Sequence, residues 1–272
     1  MRGAKVVKPK DNIGILFPHL FDRRVDAEVS STKEFDIEDL CKFVDDFNKD
    51  KASEYKMTYF HGILASFGKV FYNRNCLNRF IKKKRLYERD DIIFSFVAKD
   101  KMSDSAEEKL IFLKLKPHET GLELTKRVAV DIFKVKESGS NDFDEMLNFF
   151  TSLPNWLLSI VVKFVKFLDK HGWNPSFLTE GDTNYSTVIF SNLGSIKAPS
   201  CYHHLNEYGT NSIVITIGTI KEVDGRRVVD ITFTLDERIA DGFYFAKSVN
   251  LAQEIIKRPE LLKDELSKEI DL

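Results

Sequence analysis

Cysteine is scarce: Cys41, Cys76 and Cys201 are the only three in 272 residues, odd in number and far apart. That pattern supports no disulfide framework, and no Cys-x-x-Cys or Cys/His spacing points to zinc. Reduced thiols in a cytoplasmic protein are the expectation. Seven prolines and 13 glycines are too few for a fibrous or low-complexity chain. Charge of one sign is not in excess, with 41 Lys and Arg against 42 Asp and Glu and a net charge of −1. No general basic field therefore drives nucleic-acid binding. Long apolar runs are missing too. The stretch from Trp156 to Leu168 is broken by Lys163 and Lys166 and is too short to cross a bilayer. The first residues, MRGAKVVKPKDN, lack the apolar core of a signal peptide. What is there is 43% hydrophobic and 31% charged, enough to bury a core without a staple. One soluble domain over residues 1–272 is the expectation.

Apolar residues recur at helical spacing from Asp36 to Asn48, and again after Thr58, where Phe60, Ile63, Leu64, Phe67, Val70 and Phe71 form one stripe. Aromatic and β-branched runs predict strands at Phe80–Tyr87, Ile92–Ala98 and Leu110–Leu115. Further helices are expected at Leu122–Lys136, Asp142–Phe150 and Pro154–His171. Strands follow at Thr187–Phe190, Ile213–Lys221 and Val228–Leu235, the last two joined at Asp224-Gly225, a hairpin signal. A final helix from Ile239 to Lys257 stops before Pro259. Helices and strands mix without strict alternation, which gives an α+β class.

The last strand carries the most information. Val229, Ile231, Phe233 and Leu235 alternate with Asp230, Thr232, Thr234 and Asp236, one face apolar and the other polar. If the strand continues, Glu237 falls on the apolar side, where a carboxylate needs a partner or a task.

Asp236–Gly242, DERIADG, resembles the DHRxxDG signature of the chloramphenicol acetyltransferase and dihydrolipoamide acyltransferase superfamily. FSNLG at Phe190–Gly194 is similar to that superfamily's ISNLG strand. The segment from Asn78, NRFIKKKRLYERDDIIFSFVAKD, resembles its Asn-Arg hairpin, and FDRRVDA at Phe21–Ala27 its N-terminal arginine segment. The four segments occur in order over nearly the whole chain. The resemblance implies a two-layer α+β fold, a mixed sheet covered by helices, with no room for a lipoyl or subunit-binding domain. It also implies a homotrimer with active sites between subunits, in which acyl groups pass from a coenzyme A thioester to a small thiol or hydroxyl acceptor. Ser191 matches the oxyanion donor, Asp241 the structural acid, and Arg23 or its neighbour Arg24 that acid's cation. Glu237 stands where the family's basic histidine is expected. A thiol of pKa ~8.5 gives its proton to a histidine of ~6.5 at about 2.7 kcal/mol uphill, and to an ordinary glutamate at about 5.7. The alternative is a trimer of the same fold that binds or scaffolds without catalysis.

Three further features complete the candidates. His203 and His204 in CYHHLNEYG are expected to point oppositely on an extended chain, so no shared metal is expected, and His203 is a candidate substitute base against the plainer reading of a polar loop or interface histidine. Lys83 and Lys84, within Lys82–Arg85, are candidates for coenzyme A phosphates, against the plainer reading of a solvated hairpin. The helix at Pro154–His171 sets Lys163, Lys166 and Lys170 apart from Trp156, Ile160, Val161, Phe164, Phe167 and Leu168. An interfacial membrane helix has that pattern, but a core or oligomer-facing helix has it more often. Membrane association is therefore not expected.

Overall fold

The computed structural model describes residues 3–49, 55–99, 108–138 and 142–271. Its helices are α1 (Asn12–Leu20), α2 (Glu38–Lys49), α3 (Tyr59–Asn73), α4 (Gly121–Ser138), α5 (Asp142–Thr151), α6 (Asn155–His171) and α7 (Gly242–Lys257). Its strands are β1 (Ala4–Val6), β2 (Glu28–Asp36), β3 (Arg79–Lys82), β4 (Arg85–Arg89), β5 (Ile93–Lys99), β6 (Glu108–Lys114), β7 (Val188–Asn192), β8 (Ile213–Val223) and β9 (Arg226–Asp236). A six-stranded mixed sheet runs β2-β9-β8-β7-β5-β6, with β7 parallel to both neighbours and the other pairings antiparallel. A small antiparallel sheet runs β1-β4-β3. This is the α+β class expected.

Aromatic packing joins the two layers. α3 lies on one face of the large sheet, where Phe67 meets Phe190 at 5.7 Å and Phe233 at 5.9 Å, and Phe71 meets Phe94 at 5.2 Å. The stripe expected from Thr58 onward is this helix. Thr58 caps it by accepting from the His61 amide, while the Thr58 amide donates to His61 Nδ1, a reciprocal capping box. Val229, Ile231, Phe233 and Leu235 of β9 face this core and are buried.

Several local readings change. The strand expected at Phe80–Tyr87 is the β3–β4 hairpin, which turns at Lys83 and Lys84, both with positive φ. The Asp224-Gly225 turn also has positive φ at both positions, as its sequence signals. The last helix starts at Gly242 rather than Ile239, because the Asp241 side chain accepts from the Tyr244 amide and caps it there. β9 ends at Asp236, so Glu237 does not extend the apolar face. The helix expected to be core or oligomer-facing is not core: along α6 only Asp169 is buried.

Candidate functional site

Ser191 lies near the end of β7. Phe190 beside it points into the core, so by strand alternation Ser191 faces the opposite side of the sheet. There it heads a transverse polar row, Ser191–Thr216–Thr232–Thr32, in register across four strands. Thr232 and Thr32 share a hydrogen bond of 2.8 Å, Thr232 donates to Ser200 at 2.9 Å, and Thr216 donates to the Cys201 carbonyl at 2.6 Å. The half-buried Ser191 hydroxyl has no partner among the described residues. It is the member of the row left to bond something else.

One residue further on, the chain enters a cavity of about 920 Å³. Asn192, Gly194 and Ser195 form one wall and Ile217–Ile220 another, with the start of α3 and part of α4 opposite. Gly194 is required here, since a Cβ would collide with the Gly218 carbonyl of β8. His61 also lines the cavity. Its Nδ1 is taken by the Thr58 amide, so the neutral ring carries its proton on Nε2, which has no partner among the described residues. Burial pulls this imidazole down to about 4. Between pH 6.5 and about 4 the unfolded chain binds a proton that the folded ring refuses, so acidification through that window costs stability. The loss is about 3 kcal/mol, and it should vanish in His61→Gln, which keeps the capping box. Urea denaturation of both proteins at pH 4, 5, 6 and 7 checks this; equal pH slopes would contradict it.

The DERIADG segment lies elsewhere. Asp236 is fully buried and accepts both arms of Arg238, each at 2.7 Å. Burial opposes the Arg238 charge, but the bonds to Asp236 outweigh it and hold this guanidinium above its usual range. The buried Arg24 approaches the same carboxylate, with Nε 3.9 Å from Asp236 Oδ2. Arg24 also donates to the carbonyls of Asn206 and Gly209, at 2.7 and 3.0 Å, and its amide to Glu207 at 2.7 Å. Desolvation lowers its pKa although Asp236 and Glu207 oppose the shift. The expected pairing of Arg23 or Arg24 with Asp241 is therefore corrected. Arg23 is an exposed partner of Asp26, and Asp241 is an exposed helix cap. The acid that fixes the N-terminal arginine is Asp236.

A second buried pair pins the same loop. Lys82 donates to Asp169 at 2.7 Å, and Asp169 also accepts from the Tyr185 hydroxyl at 2.7 Å and the Gly209 amide at 3.2 Å. Burial lowers the lysine, and burial with the Asp169 charge raises the tyrosine far above its ordinary value. Arg89 has four backbone carbonyls, those of Asn78, Arg79, Ser186 and Thr210, and burial pulls it down to about 9. Gly209, with φ of +88°, fits against the Asn184 carbonyl, where a side chain would not. Residues 199–212 are thus locked over the polar face of β9, and Thr232, Thr234 and Asp236 are buried beneath the loop.

The remaining candidates scatter. The Glu237 amide donates to the Ala27 carbonyl at 2.9 Å, and its half-buried carboxylate has no partner among the described residues. By strand register, Glu237 is about five residues along and two strands across from Ser191, roughly 19 Å within one chain. His203 is exposed and its ring stacks on His204 at 5.1 Å, so the expected opposite orientation fails because this segment is loop, not strand. Lys83 and Lys84 are exposed away from the cavity, Lys83 over the Trp173 ring at 5.7 Å and Lys84 3.0 Å from Asp22. Lys82 is not solvated like its neighbours, because Asp169 draws it inside. Among the described residues no three metal-capable side chains cluster. Sequence reading missed His61 and Asp236; Thr58-x-x-His61 at a helix start and the polar parity of Asp236 were the available signals.

Solved structures of known proteins share this arrangement of elements. A chloramphenicol acetyltransferase aligns with TM-score 0.58 and 13% identity, over 96% of this chain and 100% of its own. The chain has the fold of that acetyltransferase. The core of a pyruvate dehydrogenase multienzyme complex, described as cubic, aligns with TM-score 0.59 and 10% identity over 95% and 94%. The dihydrolipoamide acetyltransferase of Azotobacter vinelandii aligns with TM-score 0.58 and 11% identity over 86% and 83%; its structure concerns the roles of a serine, a histidine and an asparagine in the catalytic mechanism. No protein-family model matches the sequence, and no curated protein does.

Proposed function

We propose that the protein is a coenzyme A-dependent acyltransferase that works as a trimer, with each site built from two chains. The observation that carries this reading is the unpartnered Ser191 hydroxyl on the sheet face turned away from α3, in a chain with the acetyltransferase fold. Ser191 would stabilise the oxyanion when the acyl carbonyl is attacked. Glu237 of a neighbouring chain would take the acceptor's proton, because roughly 19 Å within one chain is too far for the two to act on one carbonyl. Asp236 with Arg24 and Arg238 holds the strand end that carries Glu237. His203, Asp241 and Arg23 keep no direct part in this scheme. Free thiols at all three cysteines suit a reducing cytoplasm.

The test is release of coenzyme A from acetyl-coenzyme A in the presence of a small dithiol acceptor. Ser191→Ala should lower kcat by about 10²–10³, the usual cost of one oxyanion donor. Unchanged turnover in that variant would contradict the assignment. A non-catalytic trimer is favoured by one observation, the glutamate at position 237 in place of a base with pKa near neutrality. Binding of acetyl-coenzyme A without turnover would select it.

A further inference from the structure

α6 leaves unburied nearly everything a helix normally hides. Trp156, Ile160, Phe164 and Phe167 line one side, 68%, 55%, 60% and 49% exposed. Lys163, Lys166 and Lys170 run beside that stripe and have no ion-pair partner among the described residues. The only acid of the helix, Asp169, is turned inward to Lys82. At the end of the helix Trp173 is 62% exposed, with His171 stacked on it at 4.9 Å and Lys83 above its ring. Lys83, left without a role by the acyltransfer scheme, thus adds its charge to the same surface, while its neighbour Lys84 pairs with Asp22.

We propose that this face of α6 docks the protein on an anionic membrane surface, lying in the interface rather than crossing it. No helix among the described residues is long and apolar enough to span. Charge selects the occupant. The exposed face carries three lysines and no acid, although the whole chain has net charge −1. In a two-fold pairing, a second copy presenting the same face would set lysines against lysines. Anionic headgroups supply the missing sign, and lysines flanking an aromatic stripe are how an interfacial helix meets them. Tryptophan belongs at that boundary, where its ring is apolar and its N–H is wet. Both tryptophans of the chain, Trp156 and Trp173, are at the two ends of this surface. This inference does not depend on the acyltransfer reading, and it reverses the expectation of no membrane association.

The test is flotation of the full chain with vesicles of phosphatidylglycerol and phosphatidylcholine, or of phosphatidylcholine alone, with tryptophan emission recorded. Because both tryptophans report from the proposed surface, binding should shift emission to the blue. Partitioning should favour the anionic vesicles and weaken with salt. The triple variant K163E/K166E/K170E should bind at least about a hundredfold less, from about fivefold for each lysine charge removed. F164S/F167S should lose the blue shift while melting as the wild type does, since both rings are exposed. Absence of flotation with anionic vesicles overturns the proposal, and so does unchanged binding by both variants. A blue shift without vesicles that grows with protein concentration and is lost in F164S/F167S also overturns it, and assigns the face to a second copy of the chain.

Discussion

Asp236→Ala should destabilise the protein by about 3–5 kcal/mol, because it leaves the buried guanidinium of Arg238 and that of Arg24 facing an empty space. At roughly 2–4 °C per kcal/mol for a chain of this size, the melting temperature should fall by about 10 °C. Asp241→Ala removes only an exposed helix cap, worth ~1 kcal/mol, and should cost about 3 °C. The contrast separates two carboxylates of one motif: equal shifts would contradict the assignment of the structural role to Asp236. Arg24→Ala should resemble Asp236→Ala, since it also frees the carbonyls of Asn206 and Gly209.

The second large effect concerns chemistry. Glu237→His should raise acetyl transfer to a thiol by up to a hundredfold, about 3 kcal/mol, the difference between the two proton-transfer costs. The gain should disappear in Glu237→His combined with Ser191→Ala, because a better base is of little use without the oxyanion donor. Initial rates of coenzyme A release measure both variants. No gain despite demonstrated acetyl-coenzyme A binding would contradict Glu237 as the proton acceptor.

Much of the fold is legible in the sequence where periodicity and turn chemistry agree. The α3 stripe, the Asp224-Gly225 hairpin and the alternation along β9 each follow from residue spacing. β2 is not legible that way. Its Ser30, Ser31 and Thr32 are exposed at the sheet edge, so no apolar alternation marks it. α1 escapes as well, with Ile13, Leu16 and Leu20 exposed and Pro18 inside the helix. The site is partly legible. Ser191 lies on a strand, as its alternating surroundings lead one to expect, with its hydroxyl on the polar face of the sheet. The ion pair is not legible, because short-range parity says which way a side chain points and not which distant arginine meets it. Arg24 reaches Asp236 only after β2 has paired with β9, a contact between residues more than two hundred positions apart. Likewise the stacked His203 and His204 depend on loop conformation, to which strand alternation does not apply.

In the proposed site, Ser191 comes from one chain and Glu237 from another. Mixing Ser191→Ala chains with Glu237→Ala chains, followed by refolding to allow exchange, tests it most directly. Each variant alone should be nearly inactive. In randomly mixed trimers about a quarter of the interfaces combine an intact Ser191 with an intact Glu237, so about a quarter of the wild-type rate of coenzyme A release should return. A mixture no more active than its two components would contradict a shared site.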